Sequence, residues 1–75
     1  MQRYGNKSGD SGVIAYAIAD KAITVRFRDG GAYIYDYASS GKAHIERMKI
    51  LALNGKGLAT YINRHVRDAY AQKLP

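Results

Sequence analysis

Apolar and polar positions alternate with a period of two over the first half of the chain, and this alternation predicts strands. Ile14, Tyr16 and Ile18 alternate with small residues, and Ile23, Val25 and Phe27 alternate with polar ones. A turn centred on Asp20-Lys21 pairs Ile18 with Ile23, Tyr16 with Val25 and Ile14 with Phe27. Directly paired residues share a sheet face, so the six are expected to line one apolar side. Thr24, Arg26 and Arg28 then point the other way.

A third strand, Tyr33-Ile34-Tyr35-Asp36-Tyr37, follows Asp29-Gly30-Gly31. Its register depends on the loop. A two-residue turn at Asp29-Gly30 pairs Phe27 with Ala32 and sets Tyr33, Tyr35 and Tyr37 beside Arg26 and Arg28. A three-residue loop Arg28-Asp29-Gly30, with Gly30 left-handed in a bulge, shifts the pairing by one and turns the tyrosines onto the core face. The second arrangement supplies three large rings to a small core while their hydroxyls still reach its rim.

Farther along, the period changes to that of a helix. Ser39 or Ser40 is a suitable N-cap, Ile45, Met48 and Ala52 recur at helical spacing, and Asn54-Gly55 supplies the stop. A second helix is predicted from about Leu58 to Tyr70, with Leu58, Ile62, Val66 and Ala69 as its buried stripe. Thr60, Asn63, Arg64 and Arg67 fall on its opposite face. Residues 1 to 11 hold glycines and serines with almost no apolar side chain, and read as a flexible leader before a single domain over 12–75. The expected fold is α+β: a three-stranded antiparallel β-meander followed by two helices packed on one face.

Composition adds constraints. A chain of 75 residues without cysteine has neither disulfide nor thiolate zinc site to reinforce it, so the core alone, or a second copy, must stabilise it. Twelve Lys and Arg face six Asp and Glu, a net charge of +6. The pI of about 9.8 is in the range that flags polyanion partners. Apolar runs such as Ile50-Leu51-Ala52-Leu53 are far short of the ~20 residues a membrane span needs. Met1-Gln2-Arg3-Tyr4-Gly5-Asn6 has no apolar signal core, so a cytoplasmic location is expected, and Asn6-Lys7-Ser8 carries no meaning as a glycosylation site there.

Val25-Arg26-Phe27, Gly30-Gly31, Tyr33-Ile34-Tyr35, Gly57 and the closing Asn63-Arg64-His65-Val66-Arg67-Asp68-Ala69-Tyr70 occur in the order of a known pattern. Over roughly residues 12 to 71 the chain resembles the KTSC domain family. That is a short bacterial domain found alone and at the C-terminus of some lysyl-tRNA synthetases. The family has no established activity, and its attachment to synthetases implies RNA. The chain departs from the pattern at Ala38-Ser39-Ser40, where a Val-Pro pair commonly leads into the first helix.

Among candidate site residues, Arg64 and Arg67 are three apart on the exposed helix face, where two guanidinium forks can straddle a phosphate backbone. The alternative is a solvated face with an Arg64–Asp68 pair. Arg26 and Arg28 lie on the strand face that the helices leave open, as phosphate contacts or as charges that discourage sheet aggregation. Tyr33 and Tyr35 would add base stacking if they stood beside them. Lys56 sits between two glycines in a loop, a backbone setting able to approach an anion as well as an ordinary turn. His44 and His65 have no partner that spacing reveals, and the chain carries no catalytic, metal or cofactor signature. The leading expectation is a nucleic-acid module, RNA before DNA, with little sequence preference and no enzymatic role. Its rival is a protein-interaction or self-assembly domain, a dimer included, joined through an exposed strand edge.

Overall fold

The computed structural model describes every residue except Ser8 and Asp10, so the last residue of the Asn6-Lys7-Ser8 pattern lies outside it. The architecture is α+β, with one antiparallel sheet of five strands in sequential order. These are β1 (Gln2–Arg3), β2 (Val13–Ala19), β3 (Ala22–Phe27), β4 (Ala32–Asp36) and β5 (Gln72–Leu74). Three helices are α1 (Tyr37–Ser40), α2 (Lys42–Asn54) and α3 (Leu58–Tyr61), the last running on as a π-helical turn over Ile62–Val66. No helix is long and apolar enough to cross a membrane among the described residues.

The central hairpin follows the alternation, with Ile18 opposite Ile23 and Tyr16 opposite Val25. At its open end the expected pairing of Ile14 with Phe27 is replaced by Val13 with Phe27, across a bulge between Val13 and Ala15. The extra residue turns Val13 into the core and leaves Ile14 at 42% exposure. Ile18, at the hairpin tip, is equally exposed despite its apolar partner.

The next hairpin uses the three-residue loop. Gly30 has φ +100°, and Phe27 N–H donates to the Gly31 carbonyl at 2.8 Å. Val25 therefore stands opposite Tyr33 and Ile23 opposite Tyr35, which places these rings on the core side, away from Arg26.

Helix entry differs from expectation. Asp36, not a serine, caps α1: its carboxylate accepts from Ser39 N–H at 2.8 Å while the Ser39 hydroxyl accepts from Asp36 N–H at 3.1 Å. Ser40 instead donates to the Ala69 carbonyl at 2.6 Å. Gly41, at φ +93°, then separates α1 from α2. Gly55, at φ +72°, ends α2 with its N–H shared between the Leu51 and Ala52 carbonyls. The second helix stops at Val66 rather than near Tyr70, because the chain turns at Arg67 and Asp68 to bring β5 alongside β4.

Residues 1–7, expected as a loose leader, are built into the fold. Arg3 pairs with Ala15, Tyr4 is buried, and Lys7 N–H donates to the Gly55 carbonyl at 2.8 Å. The Tyr4 hydroxyl accepts from Leu58 N–H at 3.2 Å, a donor at the start of α3 that no side chain of Gly57 can cap. The core lies between sheet and helices: Val13, Tyr16, Ile23, Val25 and Tyr35 meet Ile45, Met48, Ala52, Leu58, Ile62 and Val66, with Tyr4 sealing one end. Each of the buried Val, Ile, Leu and Met side chains stabilises the fold by ~1.5–3 kcal/mol relative to exposure.

Candidate nucleic-acid interface

The register of β4 and the turn after Val66 create an aromatic cleft on the helix side of the sheet. Tyr35 forms part of its lining and is 1% exposed, while Tyr33, Phe27 and Tyr70 are half-buried around it. Tyr70 lies 4.8 Å from Tyr33 and edge-on to Tyr35 at 6.3 Å between ring centroids, and Phe27 meets Tyr33 edge-on at 5.6 Å. Lys73 Nζ sits 5.6 Å from the Tyr33 ring centroid. The cleft has a volume of about 410 Å³, within the range of small-ligand sites.

Its polar lining comes from Asn63 and Arg67 as donors and Asp29 and Asp68 as acceptors. A mixed set beside flat rings suits a neutral heterocycle with donors and acceptors on its edge better than a bare anion. Burial pushes the Tyr35 hydroxyl up to about 12, with Tyr33, Tyr70 and Asp68 adding to the effect, so it stays a neutral phenol at physiological pH.

A second concavity, of about 430 Å³, opens on the other side of α3 and the π-helical turn. Arg47, Thr60, Tyr61, Arg64 and His65 line it, and no carboxylate does among the described residues. Between the two lies a hollow that shares Asn63 with the cleft and Gly57 and Thr60 with the concavity. The three hollows follow one another along α3 and the π-helical turn through these shared residues, and are together termed the trench.

This arrangement divides the residues picked from the sequence. Tyr33, Tyr35 and Arg67 meet in the cleft, and Arg64 lies in the concavity. Lys56 is exposed beside Gly57, which belongs to the trench. Arg28 is not on the open strand face, because β3 ends at Phe27. It sits in the hairpin loop, in a shallow hollow with Gly12, Phe27 and Asp29, and donates to the Ser11 carbonyl at 2.9 Å. Arg26 is on the open face, in one cross-strand row with Arg3, Ala15, Ala32 and Leu74, and donates to the Gly30 carbonyl at 3.3 Å. Its face is opposite the tyrosines, so the paired arrangement of Arg26 with Tyr33 and Tyr35 does not occur.

Positive charge is largely left without a carboxylate partner among the described residues. The one ion pair among the described residues joins Lys49 to Glu46 at 2.8 Å, and Arg64–Asp68 does not form one. Glu46 also accepts from the Tyr37 hydroxyl at 2.7 Å, and the Lys49 and Tyr37 hydrogen bonds hold its carboxyl below the usual carboxylate range. No arginine is neutralised by a carboxylate among the described residues.

Two features escaped the sequence reading. Phe27 and Tyr70 line the cleft with the other rings. His44 and His65, 21 positions apart, stack with ring centroids 5.5 Å apart, and His44 Nδ1 and the Tyr61 hydroxyl share a 2.7 Å hydrogen bond. The spacing of Tyr61 and His65, one helical turn, was the only local signal of this cluster. No family model, curated protein or solved structure matches the chain.

Proposed function

We propose that this chain is a small basic module that binds single-stranded RNA, with little sequence preference, along the trench of α3 and the π-helical turn. Arg64 and Arg67, with Lys56 and Arg28 at its margins, contact phosphates, and the cleft of Phe27, Tyr33, Tyr35 and Tyr70 receives a base. The observation that carries this reading is the succession of an aromatic cleft, a hollow and a carboxylate-free concavity along α3 and the π-helical turn, each sharing lining residues with the next. The resemblance to the KTSC domain agrees with it, because Phe27, Tyr33, Tyr35, Asn63, Arg67 and Tyr70 belong to the resembling motifs and all line the cleft. Arg26 takes no part, since it lies on the opposite side of the sheet.

If about four phosphates are neutralised, log affinity falls against log salt with a slope near −3 for a single strand. Fluorescence anisotropy with a labelled RNA oligomer measures it. Arg64→Gln with Arg67→Gln brings the slope to about −1.5, and Arg26→Gln leaves it unchanged. Binding indifferent to salt, or equally weakened by the Arg26 variant, overturns the proposal.

A second reading, a protein-interaction or self-assembly domain, draws on Ile50 and Leu53. These are 50% and 68% exposed, three residues apart on α2. Light scattering decides it: a dimer mass that Leu53→Lys converts to monomer, with RNA binding absent, favours this reading over the first.

A further inference from the structure

The cluster of His44, Tyr61 and His65 beside Arg47 and Arg64 has a chemistry distinct from the aromatic cleft. His44 comes from the first turns of α2, with Arg47 three residues on, while Tyr61, Arg64 and His65 come from α3 and the π-helical turn. Tyr61 is fixed by its hydrogen bond to His44, and His65 by stacking on His44 and by its 4.4 Å contact with the Tyr61 ring. The nearby carboxylates are occupied or turned elsewhere: Glu46 is engaged by Lys49 and Tyr37, and Asp68 lines the aromatic cleft. What remains in the concavity is two guanidinium groups, an imidazole and the Thr60 hydroxyl, beside a Tyr61 hydroxyl already bonded to His44.

An internal phosphodiester carries one negative charge. A phosphate monoester carries about −1.5 to −2 near neutral pH and offers three strong acceptor oxygens. Two arginines with an imidazole and a hydroxyl match the second in both charge and donors.

We infer that the His65–Arg47–Arg64 concavity is a binding site for a phosphate monoester group. In the RNA-binding reading on which this source depends, that group is the terminal phosphate of the strand in the trench. A small phosphorylated molecule presents the same chemistry and fills the same site. The base-binding cleft and the monoester site then lie at opposite ends of one track, so the module favours strand ends over internal stretches.

The test compares RNA oligomers of one sequence bearing a 5′-phosphate, a 3′-phosphate or hydroxyls at both ends. Inorganic phosphate is titrated separately while the His44 and His65 ring proton signals are followed by NMR. The expected result is a gain of about tenfold or more in affinity from one terminal phosphate, lost in Arg47→Gln with His65→Gln. Both residues are exposed, so the doubly substituted chain retains its fold, and the end-group gain is read as the ratio of its own affinities for the phosphate-ended and hydroxyl-ended oligomers. Saturable shifts of the histidine signals with inorganic phosphate, without any RNA binding, uphold the site, assign it to a small phosphorylated molecule, and sink the RNA reading. RNA binding that ignores the end groups, with histidine signals unmoved by phosphate, overturns the inference and leaves the RNA reading standing.

Discussion

The hydroxyl of Tyr4 ties the N-terminal segment to the helix that carries the trench, and replacing Tyr4 by Phe isolates that single link. In the folded chain Tyr4 is 3% exposed and its hydroxyl accepts from Leu58 N–H at 3.2 Å. Leu58 is the first residue of α3, where an N–H has no intrahelical acceptor, and Gly57 offers no side chain. Tyr4→Phe therefore keeps the ring packed and leaves a buried donor unpaired, at a cost of about 1–3 kcal/mol. Against a total stability of ~4–11 kcal/mol for a chain of this length, that is a substantial fraction. It corresponds to a fall in Tm of about 4–8 °C per kcal/mol. Tyr4→Ala removes the ring as well and costs about 3–5 kcal/mol, enough to unfold a marginal chain. Urea titration followed by circular dichroism measures both, with the midpoint falling at constant m. Amide exchange at Leu58 should accelerate in Tyr4→Phe. A midpoint shift within the ~0.5 kcal/mol typical of surface substitutions, for either variant, would refute the claim that residues 1–7 are structural.

Two further outcomes follow from the same structure. Stability should decline at alkaline pH through Tyr35. Its folded value near 12 lies above the ordinary 10.0, so the folded state holds a proton that the unfolded chain releases. The contribution is complete below about pH 10 and is lost as pH rises through 12, a loss of ~1–2 kcal/mol after allowing for solvent at the cleft mouth. In alkaline melts the parent should lose stability relative to Tyr35→Phe across this window, and parallel curves would contradict the burial effect. Gly55→Ala should destabilise by more than ~1 kcal/mol, since φ is +72° and the added Cβ would stand 3.0 Å from the Gly5 Cα; an unchanged urea midpoint would contradict that close approach.

The meander, the glycine loop after Phe27, the stop at Gly55 and the buried stripe from Leu58 to Val66 were legible because each is a local signal. Alternation, turn chemistry and helical spacing are all read over a few neighbouring residues. The bulge was not, because Val13 and Ile14 are adjacent branched residues with nothing local to choose between them. The edge strands Gln2–Arg3 and Gln72–Leu74 are too short and too polar to alternate, and exist only through pairing with neighbours already in place. The second helix ends four residues early for the same reason, as β5 draws the chain back to the sheet. At the site, Arg64 and Arg67 were visible from helical spacing, and the fate of Tyr33 and Tyr35 from the loop length. The His44–Tyr61–His65 cluster joins two helices, and no short-range pattern reports such a meeting.

The most direct test of the RNA-binding account is an NMR titration of the chain with a single-stranded RNA oligomer at low salt. The account predicts shifts at Asn63, Arg64, Arg67 and Tyr70 and in the Tyr33 ring, with Thr24, Arg26 and Ile34 on the open sheet face unmoved. Shifts confined to that open face or to the Ile50–Leu53 ridge, or no shifts at all, would contradict it.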